Sequence, residues 1–335
     1  FIYADHTYSL LTFAFYLYCN GPAVIFQFCP LTGRIWNFED NYFTSVRFLY
    51  KLEVNEVNGM IKKHLIALDL DGTLLTDDKK ISARTLKTVK KAIADGHVVV
   101  IATGRPHRSS ITYYHQLGLD TPMVNFNGAL IHHPTDKKWD VLHNPMPIGT
   151  AKQIIDACYD LEVPNIVAEV QDDVFIDQFD QKLIDIFHQM DKNSTYTVGN
   201  LKHQLKEDPT SMLIFPEESH VQTLRNHLTE YHAELIEHRV WAAPWNIIEI
   251  VKKGMNKAVG LKKVAQHYNI PKERIIAFGD EDNDMEMIDF AGVGVAMGNA
   301  IEPLKNIANH VTKTNEEDGI AEFLEEYLQL KETTK

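Results

Sequence analysis

Four short segments, far apart in the chain, carry the groups that phosphoryl-transfer chemistry needs. They are Asp69-Leu70-Asp71-Gly72-Thr73, Thr103-Gly104-Arg105, Lys257, and Gly279-Asp280-Glu281-Asp282-Asn283-Asp284. Asp69 and Asp71 stand two apart, so extended backbone leans both carboxylates to one side, and Gly72 permits a sharp turn after them. Carboxylates that close repel, and one pKa rises unless a cation sits between them. A hard divalent ion such as Mg2+, which takes carboxylate, water and phosphate oxygens, resolves the conflict. Asp280 and Asp284 offer a further ligand and a supporting carboxylate, with Asn283 between them. For Asp282 and Asp284 the competing reading is capping of a helix N-terminus. Thr103 offers a hydroxyl, Gly104 an unobstructed N–H, and Arg105 a fixed cation to a phosphoryl oxygen. Lys257 opens a helical stretch, where the dipole disfavours a cation. It reads as a surface lysine or as a charge held there to neutralise carboxylates and a transferring group.

Each segment lies at the end of an apolar run or the start of a helical one. Residues 64–68 form a short apolar run ending at Asp69, the pattern of a strand buried on both faces. Ser82 is an N-cap for a helix to Asp95, with Leu86, Val89, Ala92 and Ile93 on one face and Gly96 as its stop. A second strand over 98–102 ends at Thr103. The next helix begins near Pro106, at its first helical position, and runs to Leu117. A third strand over 123–126 is closed by Asn127-Gly128. This β-α-β-α-β order predicts an α/β fold with a doubly wound, Rossmann-like parallel sheet. Ligands of such sheets bind beyond the carboxyl ends of the strands, where Asp69, Thr103, Asn127 and Asp280 all fall. Residues 141–250 change character, mixing helices over 150–161, 178–190 and 219–231 with strands over 166–170, 211–215 and 246–251. They read as an α+β cap inserted into a core made of 60–140 and 251–335. In the second part of that core the rhythm resumes: helix 257–268, strand 274–278, helix 282–290, strand 292–296, then two more helices.

The chain has 335 residues, 44% hydrophobic and 24% charged, enough to bury one or two cores. Its net charge of -13 and the lack of a basic run argue against nucleic acid or an anionic membrane as the main partner. Cys19, Cys29 and Cys158 form neither a metal-ligand spacing nor a disulfide framework, as in reduced cytoplasm. The first 59 residues hold 15 of the 33 aromatics, and no charge occurs between Thr7 and Gly33. The apolar stretch 8–19 falls short of the about 20 residues that span a bilayer, and no basic segment precedes it. Residues 1–59 therefore read as an extension not native to the body, with Met60 as its natural start.

Taken in order, Asp-x-Asp-Gly-Thr, Thr-Gly-Arg, Asn-Gly, Lys and Gly-Asp-x-x-Asn-Asp resemble the haloacid dehalogenase superfamily of phosphotransferases. The likeness is closer to its Cof-type phosphatases, subfamily IIB, and covers residues 60–335. It implies that Asp69 is a nucleophile forming an aspartyl-phosphate, and Asp71 the general acid and base, its carbonyl also touching the metal. It implies that Asp69 and Asp280 bind Mg2+ by side chain, with Asp284 as further ligand or support and Asn283 beside phosphate or metal. Thr103 and Lys257 would hold the phosphoryl group, and Gly104, Arg105, Asn127 and Gly128 would line the substrate side. The cap would close over the site and select the leaving group. The closing segment Gly292 to Ala300 fits this family better than a dinucleotide fingerprint, since its glycines come late and at G-x-G-x-x-x-G spacing.

The expected function is a cytoplasmic, Mg2+-dependent phosphatase of small phosphorylated metabolites, either sugar phosphates or flavin mononucleotide-type compounds. A phosphomutase on the same scaffold is the alternative, and a non-catalytic binding protein a lesser one. No nucleic acid or membrane partner is expected, and oligomeric state is left open. His132, His133 and the other histidines lack paired ligand spacing for zinc. Trp241 and Trp245 read as core or hinge residues.

Overall fold

The computed structural model describes residues 13–17, 24–29, 34–37, 62–190, 196–241 and 246–330. The chain divides into a unit Phe1–Lys62 and a unit Lys63–Lys335. In the first, strands β1 (Phe13–Leu17), β2 (Val24–Cys29) and β3 (Arg34–Asn37) pair antiparallel in that order. The remaining expectations for 1–59, for Met60 and for Trp245 lie outside the described residues.

The second unit begins with β4 (Leu65–Leu68), buried along its whole length. Helix α1 (Ala83–Ala94) follows, with the Ser82 hydroxyl accepting the Thr85 N–H at its start and Asp95 at its end. Next come β5 (Val98–Ile101), α2 (His107–Leu117) and β6 (Met123–Asn125). Pro106 is the N-cap of α2 and not its first helical residue, and Gly118 in the left-handed region (φ 73°) stops the helix.

β6 departs from the expected third parallel strand. It pairs antiparallel with β7 (Leu130–His132), which pairs with β8 (Leu142–His143). Only a single bridge, Ala102 to Val124, ties β6 to the parallel sheet. The reason is local: Phe126, Asn127 and Gly128 have φ of 49°, 50° and 92°, and these left-handed residues reverse the chain into a hairpin.

Residues 148–252 then build a separate sheet, so its first element starts a few residues later than the change in sequence character suggests. α3 (Ile148–Asp160), β9 (Asn165–Val170), β10 (Asp173–Ile176), α4 (Gln181–Met190), β11 (Tyr196–Val198), α5 (Leu201–Gln204), β12 (Ser211–Phe215), α6 (Val221–His232), β13 (Ile236–Val240) and β14 (Ile248–Lys252) follow in turn. Their strands form a six-stranded sheet in the order β11-β10-β9-β12-β14-β13. Its faces alternate with period two. Ile166, Ala168, Met212, Ile214, Ile248 and Ile250 bury one face in a cluster with residues of α3 and α6. Val167, Leu213 and Ile247 belong to the opposite cluster, and Glu169 and Glu249 share the parity of that face.

The chain returns to the first sheet with α7 (Lys257–His267), β15 (Ile275–Gly279), α8 (Met285–Phe290), β16 (Val293–Ala296), α9 (Glu302–Ile307), β17 (His310–Val311) and α10 (Gly319–Tyr327). The parallel sheet runs β17-β16-β15-β4-β5. α1 packs against α10 and α7 against α8. β4 and β15 are adjacent and parallel, with Leu68 beside Phe278. Their carboxyl ends therefore deliver Asp69 and Asp280 side by side, although 211 residues separate them in sequence (280 − 69).

Candidate active site

Asp69 leaves β4 with its carboxylate nearly buried, and its Oδ1 accepts a hydrogen bond from Lys257 Nζ at 2.7 Å. The same ammonium donates to Asp284 Oδ1 at 2.7 Å. Lys257 is 0% exposed at the first position of α7, where Asn256 caps the helix by accepting the Val259 N–H. The surface-lysine alternative is thereby removed. Burial alone would lower the lysine pKa, but the two carboxylates reverse that and raise it, so the ammonium stays charged.

Asp280 enters from β15, and its Oδ1 accepts the Thr73 hydroxyl at 2.7 Å. Gly72 makes that approach possible: it sits at φ 71°, and a Cβ there would run into the Asp280 carboxylate. The Asn299 amide pins the turn by donating to the Gly72 carbonyl at 2.8 Å. Asp284 Oδ2 accepts the backbone N–H groups of Asp280 and Glu281 at 3.0 and 3.2 Å. Asp284 thus both braces the loop and holds Lys257, which goes beyond helix capping.

Carboxylate oxygens of Asp69, Asp280 and Asp284 all lie within 4.8 Å of one another. Desolvation pushes the Asp69 carboxyl up to about 7, with Lys257 opposing and Asp284 adding to the rise. Asp280 is pushed to about 8, by burial and then by the charges of Asp69 and Asp284. One ammonium does not balance three buried carboxylates. The donor set, hard oxygens short of positive charge, fits a divalent cation such as Mg2+.

Asp71 stands apart from that cluster. Its carboxylate forms a bidentate pair with Arg105, Nε to Oδ2 and Nη2 to Oδ1, both at 2.6 Å. Lys79 Nζ adds a bond to Oδ1 at 2.8 Å. Burial would raise the Asp71 pKa, but Arg105 and then Lys79 overcome it and hold the carboxyl at about 2. Tyr113 supports both cations: its hydroxyl donates to the Lys79 carbonyl at 3.0 Å, and the Arg105 guanidinium lies 5.6 Å from its ring centre.

A cavity of about 620 Å3 opens above these groups, between the parallel sheet and the cap sheet. Asp69, Asp71, Thr103, Gly104, Arg105, Asp280 and Asn283 are on its wall. Lys257 and Asp284 lie behind it. So does Asn127, whose Oδ1 accepts Asn283 Nδ2 at 3.0 Å while its Nδ2 donates to Glu249 at 3.1 Å. Gly128 does not reach the wall: at φ 92° it packs on the Asn256 carbonyl, where any Cβ would collide. Its place on the substrate side is therefore corrected to a support for the start of α7.

The motifs gave no sign of the cap side of the cavity. There Arg108 pairs with Glu169, whose Oε2 accepts the Ser211 hydroxyl at 2.7 Å. Arg239 donates to the Asp282 carbonyl at 2.8 Å and to Glu286 Oε1 at 3.0 Å. Glu249 Oε2 accepts the Trp241 indole N–H at 3.1 Å, so Trp241 belongs to the cavity wall and not only to a core. Burial pushes the Glu249 carboxyl up to about 7, against the Trp241 bond. The one available signal was an acid interrupting the apolar run of residues 247–251. Among the described residues no histidine belongs to a metal-binding cluster.

The haloacid dehalogenase-like hydrolase family profile matches residues 66–324. The chain belongs to that family. It is a hydrolase of phosphoric monoesters. It is 56% identical over 269 residues to the 5-amino-6-(5-phospho-D-ribitylamino)uracil phosphatase YitU of Bacillus subtilis, covering 80% of this chain and 99% of that protein. It is 30% identical to the phosphatase YwpJ of the same organism, covering 79% of this chain and 99% of that one. A solved haloacid dehalogenase-like hydrolase from Bacteroides thetaiotaomicron superposes with a TM-score of 0.70 at 26% identity, covering 79% of this chain and 100% of that structure. Among the described residues no helix is long and apolar enough to cross a membrane.

Proposed function

We propose that this hydrolase removes phosphate from a ribityl-type phosphomonoester carrying an aminopyrimidine, through an aspartyl-phosphate on Asp69. The likeness to YitU supports the substrate class. The observation that carries the chemistry is Asp69 at the cavity wall, bonded to a fully buried Lys257 and grouped with Asp280 and Asp284. An Asp69 oxygen attacks phosphorus as the bond from phosphorus to the leaving oxygen breaks, and Asp71 gives that oxygen a proton. Asp71 then takes a proton from water, the water oxygen attacks phosphorus, and the bond to Asp69 breaks. Asp69 and Asp280 would hold Mg2+ by side chain, with the Asp71 carbonyl; when bound, it offsets negative charge on the phosphoryl oxygens. Thr103 and the Gly104 N–H meet those oxygens, and Lys257 favours the ionised form of Asp69 and aims it. The bidentate pair leaves Asp71 a carboxylate, so proton delivery requires Arg105 and Lys79 to turn from it toward the substrate's anion.

A phosphomutase needs a second phosphate site. Of the described cations of the cavity wall, Lys79 and Arg105 serve Asp71 and then the first phosphate, and Arg108 and Arg239 are paired with Glu169 and Glu286, which leaves none for a second. A cytoplasmic place of action is supported by three cysteines, Cys19, Cys29 and Cys158, whose spacing makes no disulfide framework. The purified full chain, assayed on a panel of phosphorylated metabolites with Mg2+ and with EDTA, is expected to release phosphate only with Mg2+, fastest from 5-amino-6-(5-phospho-D-ribitylamino)uracil. Equal turnover in EDTA contradicts the metal reading, and a clear preference for a plain sugar phosphate contradicts the substrate reading.

A further inference from the structure

The cavity face of the cap sheet holds two acids, and they differ in one respect. Glu169 is spent, paired with the Arg108 guanidinium and bonded by Ser211. Among the described residues Glu249 meets no cation within bonding distance; Arg239, opposite it on β13, is paired with Glu286 instead. Glu249 stands mid-sheet on β14, opposite Leu213 on one neighbouring strand and Arg239 on the other. Only 9% exposed, it keeps its carboxyl against a desolvation cost of several kcal/mol. Two neutral donors hold it, Trp241 Nε1 on Oε2 and Asn127 Nδ2 on Oε1. A carboxylate has about four acceptor positions. In the ionised form one therefore remains on each oxygen, on a group that lines the cavity.

We propose that Glu249 selects the leaving group by accepting two neighbouring N–H donors of a flat heterocycle, one on each oxygen. This rests on the phosphatase reading above and names the part of the substrate that the cap reads. The surroundings suit a planar ring: Phe187, Phe215 and Trp241 line the same end of the cavity, and Leu213 and Ile247 complete an apolar wall. Trp241 and Asn127 fix the plane of the carboxylate, so the acceptor pair is in place before the ligand arrives. A second phosphate at this end would meet an acid, and its neighbouring cations are taken: Arg239 opposite it is paired with Glu286 and Arg108 with Glu169. A bare polyol has no ring to fill the wall and no adjacent N–H pair. The 5-amino and 6-amino nitrogens of a 5-amino-6-(ribitylamino)uracil are adjacent and both carry hydrogen.

The test compares 5-amino-6-(5-phospho-D-ribitylamino)uracil with D-ribitol 5-phosphate, which shares the phosphorylated chain and lacks the ring. At pH 8, where Glu249 is ionised, wild-type full-length protein with Mg2+ is expected to favour the ring compound in kcat/KM by at least about 30-fold, since a site built around a ligand's hydrogen bonds discriminates strongly. Glu249→Gln, nearly the same shape with one acceptor turned into a donor, is expected to bring the two within about 3-fold, chiefly through KM for the ring compound. Turnover of D-ribitol 5-phosphate by the variant reports that it is folded. If wild type shows no preference, or the variant loses both substrates in equal proportion, Glu249 does not read the ring, and the phosphatase reading stands. If wild type hydrolyses neither compound but cleaves p-nitrophenyl phosphate with Mg2+, the substrate class itself is overturned.

Discussion

At the core end of the cavity, acids and cations crowd together: Asp69, Asp284 and Lys257 in one group, Asp71, Arg105 and Lys79 in another. At the cap end, the sheet face and α4 offer Phe187, Phe215 and Trp241, and beside the Glu169–Arg108 pair a second acid, Glu249, is bonded by two neutral donors. On the proposed reading the first arrangement recognises charge and serves any phosphomonoester alike. The second recognises shape and hydrogen-bond donors, so it can tell leaving groups apart. On this division, core substitutions move all substrates together, while cap substitutions move the ratio between them.

The largest effect is expected from Asp69→Asn, which removes the proposed nucleophile at almost no change in volume. Turnover of every substrate should fall by at least about 100-fold while circular dichroism and Tm show an intact fold. Substrate-dependent losses would break the division. Lys257→Met comes next. It strands Asp69 and Asp284 without their counter-charge in a fully buried place, and urea unfolding should register a loss of about 3–5 kcal/mol. A loss below about 1 kcal/mol would mean that water reaches the pair.

The pH dependence of stability sharpens the view of the cap. Burial raises the Glu249 carboxyl from 4.5 to about 7, with Glu169 adding to the rise and Trp241, Arg239 and Lys257 opposing it. Between those values the folded chain holds a proton that the unfolded chain has released. Stability therefore falls as pH rises through this window, by up to about 3 kcal/mol. Denaturant midpoints for wild type and Glu249→Gln, measured from pH 5 to 8, should differ in slope with that sign. The smallest effect is expected for Trp241→Phe, which keeps the ring and deletes one N–H. It should cost about 1 kcal/mol in discrimination between ring and ring-less substrates.

How much of this was legible in the sequence follows the same line. Strand ends are local: 65–68 and 275–279 announce themselves by unbroken apolar runs, so Asp69 and Asp280 can be placed at strand ends without coordinates, while the adjacency of the two strands is visible only in the sheet. Ser82 and Gly96 bound α1 by the same local chemistry. The hairpin β6–β7 was hidden because its cause is three left-handed residues, two of which, Phe126 and Asn127, are not glycine. Glu249, Glu169, Arg108 and Arg239 were hidden because their meaning comes from cross-strand register and from a cap folded over a core. Arg108 and Glu169, for example, are partners 61 residues apart in sequence. Gly128 was read as a ligand contact when its role is a close approach of two backbones.

The most direct test is to trap the intermediate. The full chain with Mg2+ and substrate is quenched in acid during turnover, reduced with borohydride, and mapped by peptide mass spectrometry. The expected result is conversion of residue 69, and no other acid, to homoserine, in an amount that disappears with EDTA. Homoserine at another position, or none while phosphate is being released, would contradict Asp69 as the group that takes the phosphoryl.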